Sequence, residues 1–230
     1  MRYVFGIALV LWVSSCSAYE AKPIAAPSIE ALPFSRTQAT VTVAGDPYLD
    51  RVRSETFFGQ DLSKLGVIPI QLFVQNHGEG QVWLQPSSIS LNLPDGTSLK
   101  PVRAMVVGAM KIPRDLSGGE VAGLALGGVV GAFGGNPFVG LELGGRIMEG
   151  KERDKVFQRI ADYWTKELKD VIVGKNESAH GFVFFVPNWG RAAFDEATLV
   201  YNLLDIGEAK RFAVLLPLTG LRYSSSSKDP

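Results

Sequence analysis

Cysteine is nearly absent from this chain: Cys16 is the single example in 230 residues. One cysteine closes no disulfide within the chain, so the fold has to stand on its apolar core. Histidine is almost as scarce. His77 and His180 are the whole supply, they lie far apart in sequence, and neither is surrounded by metal-ligand spacing. Both read as solvated or capping residues at turn and strand-entry positions. An excess of charge of one sign is also missing, since Lys+Arg and Asp+Glu number 23 each. With no dense basic block to track phosphates, nucleic acid is not an expected partner.

The motifs of chemistry are missing too. The glycine-rich stretch has no Lys-Ser/Thr where a phosphate-binding loop needs it, and no dinucleotide fingerprint follows a strand. No Gly-x-Ser-x-Gly nucleophile elbow occurs. The acidic pair Asp195-Glu196 reads as loop charge. The expectation is a protein that is not an enzyme and carries no cofactor and no metal. What is present is apolar: 46% hydrophobic residues with Gly 25 and Pro 13, the signature of a globular chain with many turns.

The N-terminus carries the most specific signal. Arg2 is followed by eleven apolar residues, Tyr3 to Val13, and then by Val13-Ser14-Ser15-Cys16. A basic start, a short apolar run and a small-residue cleavage site make a secretory signal, too short for a stable membrane span. The sequence Val13-Ser14-Ser15-Cys16 resembles the lipobox of bacterial lipoproteins. That resemblance implies cleavage of residues 1–15, lipid (palmitate among the acyl chains) on Cys16, and a membrane-anchored protein of the cell envelope. Ser17, in place of an Asp, implies the outer membrane if the source is Gram-negative. Residues 16–35, with three prolines and little periodicity, read as a tether.

Strand signals begin at Thr37 and recur at Val67–Gln75, Gln81–Gln85, Ile89–Leu93 and Thr97–Val102. They return at Gly181–Val186, and Ala197–Leu204 and Arg211–Leu216 flank a polar turn as a hairpin. The two blocks, 36–102 and 181–218, total about 105 residues and seven or eight strands, the size of one immunoglobulin-like sandwich. The second block alone is too small for its own core. The expected fold is therefore mainly β: an immunoglobulin-like β-sandwich interrupted by a helical insertion, 103–180, with a flexible tail at 219–230.

The insertion follows other rules. Gly119, Gly123, Gly127, Gly131 and Gly135 recur every four residues, and no charged side chain occurs from Val121 to Leu141. On a helix this period lines the glycines along one face, where another backbone can approach closely. Five interior glycines weaken an isolated helix in water by about 5 kcal/mol, so something must pack on them. The stretch before Pro137 would reach only ~24 Å as helix, short of the ~30 Å hydrocarbon core. The segment GGEVAGLALGGVVGAFGGN resembles the glycine zippers of outer-membrane lipoproteins and surface antigens. That resemblance implies close helix packing, through self-association or with an envelope protein partner, and leaves insertion into lipid open.

A second helix is expected across 151–170, with Phe157, Ile160, Ala161, Trp164 and Leu168 as its apolar face and charges of both signs opposite. Such a helix covers its own domain more often than a membrane surface.

The function expected is a non-catalytic, membrane-anchored lipoprotein acting in structure, assembly or partner recruitment. The alternatives are an envelope binding module for a glycan or peptide, using Trp83, Trp189 and Tyr223, and, less favoured, an unrecognised hydrolase.

Overall fold

The computed structural model describes residues 28–110, 151–187 and 196–219. Cys16 and the five zipper glycines lie outside the described residues, as do Trp189, Asp195 and Tyr223.

Two antiparallel sheets face each other. The first has the order β1 (Phe34–Gln38), β2 (Val41–Pro47), β3 (Ile68–Asn76) and β8 (Ser178–Phe185). The second is organised on β9 (Glu196–Asp205), whose full length pairs with β10 (Lys210–Thr219). The other edge of β9 takes β5 (Ile89–Asn92) near its start and β4 (Val82–Leu84) near its end. Beyond these lie β6 (Ser98–Leu99) beside β5 and β7 (Val171–Val173) beside β4. The protein is mainly β, a sandwich of two antiparallel sheets.

The period of two decides which side chains meet. In β9, Ala197, Leu199, Tyr201 and Leu203 are buried, and the residues between them face outward. They pack on Val41, Val43, Ile70, Leu72 and Val74 of the first sheet, among others, in one continuous core. β2 and β3 are buried at nearly every position, alternate residues on each face, so the first sheet is covered on both sides.

Its outer cover is helical. α1 (Arg51–Phe58) starts where the Asp50 side chain accepts from the Arg53 amide and stops at Gly59, whose φ of 67° fits glycine. α2 (Ala104–Ala109) and α3 (Lys151–Lys166) complete the layer. A second core forms beneath them from Tyr48, Phe58, Leu62, Val107, Tyr163 and Phe182, among others. Edge-to-face contacts at 5.0 Å (Phe58–Phe182) and 4.9 Å (Tyr48–Phe182) organise it. Three layers result: sheet, sheet, helices.

Two local expectations change. α3 buries only part of the face read from its apolar residues, keeping Ile160 and, just past its end, Leu168 inside. Phe157 and Trp164 stay 39% and 49% exposed, while Val156, Ile160 and Tyr163 are buried. The rotation brings Asp162, Lys166 and Glu167 inward, because polar atoms of neighbouring elements need them there. Strand also reaches into the span 103–180: α3 ends at Lys166, and β7 and the start of β8 follow.

Candidate functional site

The described part of the insertion is its base, and the base is built on one strand edge. The outgoing chain donates from the Val102 amide to the Phe184 carbonyl at 2.7 Å. The returning chain donates from the Leu168 amide to the Phe182 carbonyl at 2.9 Å. Both ends of the insertion are thus pinned side by side on β8, which also blunts the free edge of the first sheet. The second contact needs a glycine: a Cβ on Gly181 would lie 2.6 Å from both Cα and N of Leu168.

Glu167 ties the two ends together. Its buried carboxylate accepts from the Ala104 amide at 2.9 Å and from Arg103 Nε at 3.1 Å, and its second oxygen accepts from Lys169 Nζ at 3.2 Å. The Ala104 amide is one of the α2 donors without an intrahelical partner, so a carboxylate from another element caps this helix. The other end of α2 is met by Arg159, which donates to the carbonyls of Gly108 at 2.7 Å and Met110 at 3.2 Å. Acid at the start and base at the end match the helix dipole. They also fix α2 antiparallel to α3. Between the two caps, Gly108 lets the helices touch, since a Cβ there would stand 2.9 Å from Ile160 Cα. Glycine-mediated helix packing is therefore present at Gly108, eleven residues before Gly119.

A buried ion pair anchors α3 from the other side. Lys166, 2% exposed, donates to Asp162 Oδ2 at 2.6 Å and to the Phe57 carbonyl. Tyr163 donates from its hydroxyl to the Phe58 carbonyl at 2.7 Å. Those carbonyls close α1 and have no intrahelical donor. Burial holds the Lys166 amine below its ordinary range, with Asp162 opposing the shift, and burial pushes the Tyr163 hydroxyl above its own. Chemically this arrangement grips; it presents no paired acid and base to a substrate.

The remaining candidates are dispersed. His77 Nε2 lies 3.2 Å from Thr42 Oγ1, and the His180 ring stacks on Phe73 at 6.4 Å. Trp83 is 37% exposed on β4, opposite Ile172 and Leu204 on its two neighbours. Glu196 opens β9. Among the described residues no group of three His, Cys, Asp or Glu could hold a metal, and no helix is long and apolar enough to cross a membrane.

No protein-family model and no curated protein matches this chain. Solved structures offer distant likenesses. The "putative lipoprotein (ycdA)" of Bacillus subtilis aligns over 80% of this chain at 12% identity with a TM-score of 0.37. That alignment spans 38% of the Bacillus chain. The yjhA protein of Bacillus subtilis aligns over 80% of this chain and 96% of its own, at 13% identity and a TM-score of 0.37. A functionally unknown protein of Listeria monocytogenes EGD-e aligns over 81% of both chains, at 9% identity and a TM-score of 0.35.

Sequence reading missed Glu167, Arg159 and Lys166 because charged residues on an amphipathic helix are ordinarily assigned to solvent. Gly181 carried a legible signal: a glycine at the head of the apolar run Phe182–Val186 marks close backbone approach.

Proposed function

We propose that this protein is a non-catalytic lipoprotein of the cell envelope, held to the membrane by lipid on Cys16, that works in assembly or partner recruitment. The observation that carries the reading is Val13-Ser14-Ser15-Cys16, which places the chain's single cysteine where lipobox cleavage would expose it. The tether ends before Ile29 rather than at residue 35, because Ile29–Ala31 forms a helical turn, Leu32 is buried with Ala44 and Phe73, and β1 starts at Phe34. It lifts the folded part off the bilayer. That folded part is an immunoglobulin-like module, a reading supported by its two facing antiparallel sheets; ten strands are described, where seven or eight were expected. Its insertion projects the stripe Gly119, Gly123, Gly127, Gly131 and Gly135 toward a helix of a partner or of a second copy.

The mounting supports this reading. Glu167, Arg159 and Gly181 give the segment between Met110 and Lys151 a fixed base, which suits a contact element whose direction matters. The outer membrane is the proposed location if the source is Gram-negative, on the strength of Ser17.

Two experiments test the reading. Metabolic labelling with a palmitate analogue is expected to mark the wild-type chain and not Cys16→Ala; equal labelling of both contradicts lipidation at this site. Gly127→Leu combined with Gly131→Leu is expected to abolish capture of envelope partners while the melting temperature holds. Unchanged partner capture removes the glycine stripe from the account.

A further inference from the structure

The outer face of the second sheet belongs to no core of the described residues. Two charged side chains point outward along the β9–β10 ribbon, and they stand at opposite ends. Arg211 lies opposite Leu204 near the hairpin turn, and Glu196 lies opposite Thr219 at the far end. Neither has an ion-pair partner among the described residues. Eight residues of strand separate Leu204 from Glu196, or about 27 Å at the rise of an antiparallel strand. The middle of this span is uncharged. Val200 pairs with Leu215, which is 53% exposed, and Asn202 pairs with Ala213. At the Arg211 end the apolar surface widens sideways through Leu204 and Trp83 to Ile172, itself 50% exposed.

We propose that this face binds a second copy of the chain, sheet against sheet, about a two-fold axis that lies between the sheets and crosses the strands near Val200 and Leu215. The charge pattern is self-complementary under that operation. Reversing the strand direction sets Leu215 over Leu215 and Arg211 of each copy over Thr219 of the other, one strand spacing of ~4.8 Å from the Glu196 that pairs with that Thr219. A two-fold interface uses the same patch twice, so each complementary pair counts twice. Parallel stacking of the copies would instead bring Arg211 to Arg211 and Glu196 to Glu196. Two sheets so packed lie about 10 Å apart with their strands roughly 30° from aligned. A ribbon of ~27 Å across four strands at ~4.8 Å spacing presents roughly 500 Å² of flat area, in reach of the ~800 Å² of accessible surface per partner that stable interfaces use. Lys100, beside β5, leaves the pattern intact because its amine turns to the Ile89 carbonyl.

This interface does not depend on the lipid anchor or on the glycine stripe, and the test separates them. The full chain is extracted in mild detergent and its mass is followed by sedimentation equilibrium for the wild type, Arg211→Glu, Glu196→Arg and the double reversal. The wild type is expected to dimerise. Each single reversal is expected to weaken dimerisation roughly tenfold, because two attractive pairs become repulsive, and the double reversal to restore it. In membranes, Leu215→Cys is expected to form an intermolecular disulfide under mild oxidation. A monomeric wild type, or a double reversal as weak as the singles, overturns the proposal. So does a dimer indifferent to all three charge variants and without the Leu215→Cys crosslink, which would place self-association on another surface.

Discussion

Gly181 and Leu168 touch backbone to backbone: a methyl on Gly181 would stand 2.6 Å from the Leu168 Cα and amide nitrogen. The contact lies where the returning end of the insertion donates to β8. The seam between sandwich and insertion is therefore closed by the absence of a side chain.

Gly181→Ala tests the seam. Neither neighbour is the movable end of a flexible side chain, so the returning chain has to shift. The expected cost is about 1–3 kcal/mol, the range for overpacking, with faster amide exchange at Leu168 than at core strand residues such as Leu72. A variant as stable and as protected as the wild type would show that the seam relaxes freely.

Lys166 and Asp162 form a buried pair whose halves need each other. Lys166→Met leaves the Asp162 charge buried beside an unsatisfied α1 carbonyl, and the expected loss is about 3–5 kcal/mol. Adding Asp162→Asn removes the charge that Lys166 balanced, so the double variant is expected to be more stable than Lys166→Met alone. Urea melts of the two variants decide the sign of the coupling.

Tyr163 and Tyr201 set the alkaline limit. Burial raises both hydroxyls above the ordinary 10.0. A group whose folded pKa is raised stabilises fully below the unfolded value and loses that contribution as pH climbs past it. Stability is therefore expected to fall above about pH 10, by ~1.4 kcal/mol per pH unit for each tyrosine that stays neutral only when folded. Lys166, with its folded value lowered, works oppositely: its contribution rises with pH up to the unfolded 10.5 and adds no loss beyond it. The Tyr201 hydroxyl has no hydrogen-bond partner among the described residues. Tyr201→Phe is therefore expected to be neutral or stabilising at pH 7 and to shallow the alkaline decline. Denaturant melts from pH 7 to 11 measure both effects.

The sandwich was legible because its strands alternate in plain view: Ile89 and Leu91 inward, and the pairs of β9 and β10 on either side of a polar turn. α1 was hidden, since Arg51–Phe58 buries only Ser54 and Phe58 and so shows no apolar period; its boundary residues, Asp50 and Gly59, were the available signal. α3 was legible as a helix but not in its rotation. Apolarity ranks Phe157 and Trp164 as core, whereas the orphan carbonyls at the end of α1 and the Ala104 amide draw Lys166 and Glu167 inward. A need for hydrogen-bond partners on distant elements leaves no periodic trace in the helix that supplies them. β7, three residues long, is too short to show alternation.

Anchorage by lipid alone is best examined in the Cys16→Ala chain, with its signal still cleavable, by fractionating cells before and after an alkaline carbonate wash. The variant is expected to leave the membrane and appear, folded, in the soluble fraction while the wild type stays bound. A variant that remains in carbonate-washed membranes would contradict it, and would make the glycine-rich segment itself the membrane anchor.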